Sequence, residues 1–456
     1  MANSWLSAEK RKKRKETEKI DNTNELLLGW PGMALDALEA KLQGQGSASL
    51  EALFGAQEAN EMRETAAAPA LTRAAGQRPN IVLLPGIMGS LLQSVEGLVE
   101  LLWVNPLVFT RGLINLLELA DDGETDANPR VKIVATGLEM LSYAKATLML
   151  RKQANPFLFP YDWRRDIRTA AGLLHQALNR WAASNGYRRF TLVSHSLGGL
   201  VSRTYLALFP EEAERLVERV ILLGSPAYGI VNAVQNLTTG NDLMQLAHKL
   251  NDDNQGDRLV RSITALYQLL PPPPDLFPAD RQYPCDFDLY DAAAWQSADE
   301  AEIRQNSLNR GKALHQLLAA SDPHVPIIQI AGYDQATLIA MRGTPDALQP
   351  VVVSHGPNSG DGVVPLWSAT LPGAEMYYVR LAHDKLQKDN RVLRAVLDLA
   401  RGGEADLPRQ MEPHRGPVIT ARPPIIDMDG EANRLRAAIQ EGRATGDDLA
   451  QLFLAL

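Results

Sequence analysis

Ser196, Asp361 and His383 are the residues of this chain whose types and spacing could do nucleophilic chemistry. A serine hydroxyl is a weak nucleophile at neutral pH, so it needs a base within hydrogen-bond reach and a third group to orient that base. Ser196 stands in Thr191-Leu192-Val193-Ser194-His195-Ser196-Leu197-Gly198-Gly199-Leu200. A β-rich run, Phe190 to Val193, precedes it, and apolar residues at helical spacing (Leu197, Leu200, Val201, Tyr205, Leu208) follow it. The pattern predicts strand, tight corner and helix, a nucleophile elbow, with Gly198 as one small flank and Ser194 where a glycine is usual. A plain Ser/Gly-rich β-to-α turn is the competing reading.

The base has eight histidines to come from. His383 alone follows the final predicted strand, Met376 to Leu381, and comes after an acidic turn. His355 is its rival, and a helix-start histidine bonded to backbone is the structural alternative for His383. Asp361 lies between Gly360 and Gly362, where its carboxylate can approach the backbone and still reach a neighbouring loop. Asp-Gly is also a common turn, and Asp334 is the runner-up acid. A tetrahedral intermediate needs N–H donors. The expected ones are Leu197, next after the serine, and Ile87 in the corner Pro85-Gly86-Ile87-Met88-Gly89-Ser90.

These residues must be held by strands that alternate with helices. Strands are expected at Asn80–Leu84, Phe190–Val193, Val220–Leu223, Val325–Ala331 and Met376–Leu381. Between them fall helical patterns, one with Ile167, Ala171, Leu174, Leu178 and Trp181 and one with Leu386, Val392, Leu393, Val396 and Leu397. This rhythm implies a mostly parallel sheet whose sites gather at the carboxyl ends of the strands. From about 230 to 320 the rhythm stops; helical pieces, Pro271 to Pro274 and several aromatics read as an inserted helical cap. The apolar stretch Leu91 to Leu119 reads as core helix or as the wall of an acyl-chain pocket.

Residues 1–77 form an N-terminal extension, helical over Trp30 to Glu64, with a basic run Lys10 to Lys15 that reads as a solvated helix or a contact with anionic lipid. Residues 78–400 form the main domain, and 401–456 a C-terminal extension with helical patterns at Glu431–Gln440 and Asp447–Leu456. The composition, 45% hydrophobic and 22% charged over 456 residues, is that of a globular chain with a large core. The net charge of -8 argues against general nucleic-acid binding. One cysteine, Cys285, allows no internal disulfide, and scattered histidines give no metal-ligand spacing. No dinucleotide fingerprint follows a strand, so no cofactor is expected. Charged and polar residues from Glu96 to Glu118 interrupt the most apolar stretch, so a spanning helix is not expected there. The chain reads as cytoplasmic, non-classical export being the alternative.

Taken together, Pro85 to Ser90, Pro160-Tyr161-Asp162-Trp163-Arg164-Arg165, Ser194 to Gly198, Leu223-Gly224-Ser225-Pro226, Gly360 to Pro365 and His383 recur in the order seen in one family. Over residues 79 to 400 the chain resembles lecithin:cholesterol acyltransferase and lysosomal phospholipase. The resemblance implies an α/β-hydrolase with Ser196, Asp361 and His383 on the triad positions, Ile87 and Leu197 on the oxyanion positions, and Asp162 in structural support. It implies a serine-dependent lipase, phospholipase or acyltransferase on lipid esters; peripheral membrane contact is expected only through the basic run Lys10 to Lys15. Tyr228 stands where a tryptophan is frequent, and the secretory signal and disulfides of the animal members are missing. A small-ester hydrolase, and a hydrolase-fold scaffold whose extensions recruit a protein partner, are the alternatives.

Overall fold

The structure, a computed structural model, describes residues 33–44, 47–69, 78–186, 188–238, 242–295, 304–412 and 428–441. The basic run Lys10–Lys15 and the helical pattern Asp447–Leu456 lie outside the described residues.

Its centre is a parallel sheet of six strands: β1 (Asn80–Leu84), β5 (Asn155–Leu158), β6 (Phe190–His195), β7 (Val217–Leu223), β8 (Ile327–Gly332) and β11 (Glu375–Val379). Their order is β11-β8-β7-β6-β1-β5, every pair parallel. β1 and β6 are buried along their whole length, as strands covered on both faces must be. Because successive side chains alternate, Val82 and Leu84 enter one core while Ile81 and Leu83 enter the other. The helices Ile167–Asn185 and Leu197–Leu208 cover the first face, and Met140–Gln153 and Asn390–Ala400 the second.

The first helix of that set is capped by Asp166, whose carboxylate accepts from Arg168 N, and ends at Gly186 in the left-handed conformation. Sequence periodicity located it correctly. The stretch Leu91 to Leu119 corrects the expectation of a core helix. It forms β2 (Ser90–Glu96) and β3 (Glu100–Trp103), a hairpin turning at Gly97 with φ 75°, followed by a short helix Pro106–Thr110 capped by Asn105. With β4 (Lys132–Leu138) the hairpin makes a small antiparallel sheet, order β3-β2-β4. Adjacent leucines on β2 and β3 hid the strand alternation.

Two further expectations change. The loop around His355 follows a hairpin of β9 (Thr337–Arg342) and β10 (Gln349–Val353). His383 opens only a single 3-10 turn, His383–Lys385; the helix proper starts at Asn390, where Asp389 accepts from Arg391 N and Val392 N.

Among the described residues between β7 and β8 lie the helices Val231–Thr238, Asp242–Leu250, Gly256–Ser262, Thr264–Gln268 and Gln305–Ala319. The middle helices are tied to the segment after β3. Asn254 Nδ2 donates to Phe109 O (2.7 Å), Gln255 N to Asn115 Oδ1 (2.8 Å), and Leu119 N to Ser262 Oγ (3.1 Å). Pro271 to Pro273 are buried, their run braced by Tyr290 Oη on Pro271 O (2.9 Å) and Tyr283 Oη on Pro272 O (3.0 Å). The N-terminal helices Leu35–Gln43, Ser47–Phe54 and Ala56–Ala67 reach the Met140–Gln153 helix through ion pairs Glu61–Lys145 and Glu39–Lys152.

Candidate active site

The corner after β6 is sharp. Ser196 takes φ 51° and ψ -122°, a conformation that side chains rarely adopt and that surrounding contacts must hold. Its N–H donates to Leu223 O at 3.0 Å, and its carbonyl accepts from Gly199 N at 2.9 Å. The neighbours have to be small. A Cβ on Gly199 would fall 2.0 Å from Ser225 Oγ, so only glycine lets the helix sit there. Ser194, the departure from the usual glycine, is fully buried and shares a hydrogen bond with Ser202 Oγ at 2.7 Å.

Asp361 and His383 meet across two loops, Oδ2 to Nδ1 at 2.7 Å. Asp361 is buried, and its other oxygen accepts from Val363 N (3.0 Å) and Val364 N (2.7 Å). His383 N donates to Asp361 O at 2.8 Å, a second link between the same residues. The loop after β7 lies directly beneath them. At Gly224, φ 55°, a Cβ would come within 2.9 Å of Asp361 Oδ2 and 3.1 Å of His383 Nδ1. Ser196 is thus bonded to Leu223, the last residue of β7, while the Asp361–His383 pair packs against the next residue, Gly224. Among the described residues Ser196 Oγ makes no hydrogen bond to His383, whose Nε2 faces away from the carboxylate bond.

The rival candidates come together with each other instead. His355 Nδ1 lies 3.6 Å from Asp334 Oδ1, with Arg380 Nε 3.5 Å from Asp334 Oδ2. His355 is 43% exposed and its cluster is an ion-paired surface feature.

Pro85 to Ser90 approaches the serine from β1. Gly86 sits so close that a Cβ on it would be 3.0 Å from Ser196 Cβ. Gly86 O accepts from Gly89 N (3.1 Å), closing a turn in which Met88 has φ 61°. Three aromatic side chains brace this turn: Trp103 Nε1 donates to Met88 O (2.8 Å), Tyr161 Oη to Pro85 O (2.8 Å) and Trp163 Nε1 to Ser90 O (3.2 Å). The Ile87 and Leu197 N–H groups are engaged by no other group among the described residues. Such unsatisfied donors are suited to a developing oxyanion.

Asp162 is held away from this chemistry. Burial would raise its pKa, yet Arg164 and Arg165 hold the carboxyl below its usual range. Arg164, fully buried, bonds Asp162 (2.6 Å), Asp126 (2.9 Å) and Leu117 O (2.8 Å), so the motif supports the loops below the site. Two residues that sequence reasoning did not assign also belong here. Tyr143 Oη lies 2.9 Å from His195 Nδ1 and accepts from Gly86 N at 2.7 Å. No motif marks Tyr143, a residue inside an ordinary helix; His195 was visible only as part of the elbow. Among the described residues no cluster of His, Cys, Asp and Glu could hold a metal ion.

A parallel sheet, a strained serine between a buried strand and a helix, and an Asp–His pair from later loops define an α/β-hydrolase. Residues 142–339 match the family model of lecithin:cholesterol acyltransferase. The chain has the α/β-hydrolase fold, and over that segment it is similar to the lecithin:cholesterol acyltransferase family. No curated protein matches it. Solved structures similar to it include the Tle4–Tli4 complex (15% identity, 70% of this chain, 97% of that one, TM-score 0.45). The Bacillus licheniformis lipase BlEst2 in mature form is also similar (16%, 73% and 96%, TM-score 0.39). So is the metagenomic carboxyl esterase MGS0156 (13%, 85% and 78%, TM-score 0.33).

Proposed function

We propose that the protein is a serine-dependent lipase, phospholipase or acyltransferase that works on lipid esters through an acyl-enzyme. One observation supports the reading: the Asp361–His383 pair, 2.7 Å apart, packs against Gly224, the residue after the Leu223 carbonyl that holds the N–H of the strained Ser196. His383 Nε2 takes the Ser196 proton as Oγ attacks the ester carbonyl, and Asp361 steadies the imidazolium. The negative charge gathers on the former carbonyl oxygen, where the Ile87 and Leu197 N–H groups receive it. The C–O bond to the alcohol breaks, and His383 returns the proton to the departing oxygen. Water or an acceptor alcohol then gives its proton to His383 and attacks the acyl carbon; the bond from that carbon to Ser196 Oγ breaks, and His383 returns the proton to Oγ.

Lipid is favoured as the substrate because the apolar segment after Ser90 is bonded to the turn bearing Ile87 through Trp103 and is itself tied to the helices from Val231 to Ser262, an apolar body suited to line an acyl chain. A cytoplasmic setting, with peripheral contact to a membrane, belongs to the same proposal. A fluorophosphonate probe should label wild-type protein and leave Ser196→Ala unlabelled; an unlabelled wild type overturns the proposal. Mass spectrometry of products from mixed lipids, with and without an added alcohol, separates hydrolysis from acyl transfer. Turnover confined to short p-nitrophenyl esters would make it a small-ester hydrolase. A folded protein with no turnover at all would make the helices 35–67 and 428–440 the parts of a scaffold.

A further inference from the structure

A hydrogen-bond chain runs through the site and links three segments that the proposed reaction uses, the turn bearing Ile87, the elbow before Ser196 and the backbone of His383. Gly86 N donates to Tyr143 Oη (2.7 Å), Tyr143 Oη meets His195 Nδ1 (2.9 Å), and His195 Nε2 meets His383 O (3.2 Å). The direction of every proton follows from the partners. A carbonyl oxygen only accepts, so His195 Nε2 must carry a hydrogen. Tyr143 Oη already accepts from Gly86, which leaves its own hydrogen for the Nδ1 lone pair of a neutral imidazole. Burial, the nearby His383 and Lys388 disfavour the charged ring, with the His383 carbonyl opposing them more weakly.

The ends of the chain matter more than its middle. Gly86 is fixed on both sides, its N–H by Tyr143 and its carbonyl by Gly89 N at 3.1 Å. In a trans peptide C=O and N–H point in opposite directions, so fixing the Gly86 carbonyl aims the Ile87 N–H out of the turn. At the other end the bond is to the backbone of His383 itself, whose ring is set by Asp361. His195 is the residue before Ser196, so a bond at either end is referred to the serine.

We propose that Tyr143 and His195 are positioning residues, which through this one chain hold the Ile87 N–H and the His383 backbone in register with Ser196. The inference rests on the proposed function above. Neither residue touches substrate in this scheme; both act through the groups they orient.

Tyr143→Phe tests it, since the ring stays and only the hydroxyl goes, leaving Gly86 N–H and His195 Nδ1 without their partner. With a p-nitrophenyl ester, kcat should fall about 10- to 100-fold while KM changes less than about 2-fold. The affinity of a boronic acid, which mimics the tetrahedral intermediate, should fall by a similar factor. His195→Gln, able to donate to His383 O but unable to meet Tyr143 in the same way, should lose less than His195→Ala. Combining Tyr143→Phe with His195→Ala should cost far less than the product of the single losses, as expected for one chain.

Fluorophosphonate labelling of the wild type is measured first. If it fails, the proposed function fails. If it succeeds and folded Tyr143→Phe keeps wild-type kcat, or loses activity through KM alone, the positioning role is overturned. Should Tyr143→Phe not fold, the comparison of His195→Gln with His195→Ala decides: equal losses overturn the role, and a smaller loss for glutamine supports it.

Discussion

Gly198 lies against the carbonyl of Pro85: a Cβ on this glycine would come 2.6 Å from that oxygen and 2.9 Å from Leu84 O. Both obstacles are backbone at the carboxyl end of β1, which cannot move aside as a flexible side chain would. The elbow and the turn bearing Ile87 are therefore set at one fixed spacing. Gly198→Ala should force them apart, lowering stability by about 1–3 kcal/mol. It should also slow fluorophosphonate labelling at least about tenfold by moving the Ile87 and Leu197 N–H groups proposed to hold the oxyanion. A melting curve and a labelling time course check the two effects, and an alanine variant with unchanged kinetics would refute the spacing argument.

Asp361→Asn should keep the fold and lose the chemistry. The two backbone bonds from Val363 and Val364 demand an oxygen at Oδ1, so the amide nitrogen is turned toward His383 Nδ1. That nitrogen donates, which places the ring hydrogen on Nε2 and removes the lone pair that would take the Ser196 proton. If Ser196, Asp361 and His383 act as the proposed triad, the wrong tautomer costs about 10⁴-fold in kcat. Steady-state hydrolysis of a p-nitrophenyl ester, beside a melting curve, measures both halves of the expectation.

The elbow could be read from sequence because its signal is local. Small residues, a buried run and a helical run must stand side by side for the chain to turn so sharply at Ser196. The antiparallel sheet could not be read so, since β2 pairs with β4 across a helix and a 3-10 turn, and a bond between distant segments leaves no local period. Residue type also failed to choose between acid–base pairs. Asp334 with His355 satisfies the same types as Asp361 with His383, and the structure brings each pair together. What separates them is burial and the loop after β7, both properties of the folded sheet. Tyr143 carried no signal because its role comes from where its helix is docked.

Arg164→Met should be among the most damaging changes away from the serine. The guanidinium is fully buried and shared by Asp162 and Asp126, so its removal leaves two carboxylates facing each other in a poorly hydrated place. Breaking a buried pair from one side typically costs about 3–5 kcal/mol. Arg165→Met is the control. Its guanidinium is 29% exposed and 3.0 Å from Asp162, and its loss should cost about 1 kcal/mol or less. Urea unfolding of the two variants side by side tests the contrast.

His315 sets a pH dependence that can be measured away from catalysis. It is buried, and Nε2 lies 2.8 Å from Leu270 O. Burial, with a smaller push from Arg203 and some opposition from the Leu270 carbonyl, brings its pKa down from 6.5 to about 4. Between those values the unfolded chain binds the proton and the folded chain does not, so stability rises with pH through this window. The contribution is fully present above about 6.5 and is lost as pH falls toward 4, an amount of about 3 kcal/mol. His315→Gln can still donate to Leu270 O but has nothing to titrate. Between pH 7 and pH 4 the wild type should therefore lose about 3 kcal/mol more than the variant in urea unfolding. His195 has the same sign of shift, but it is present in both proteins and cancels from the comparison. Equal pH slopes for the two would show that the His315 ring is charged in the folded protein.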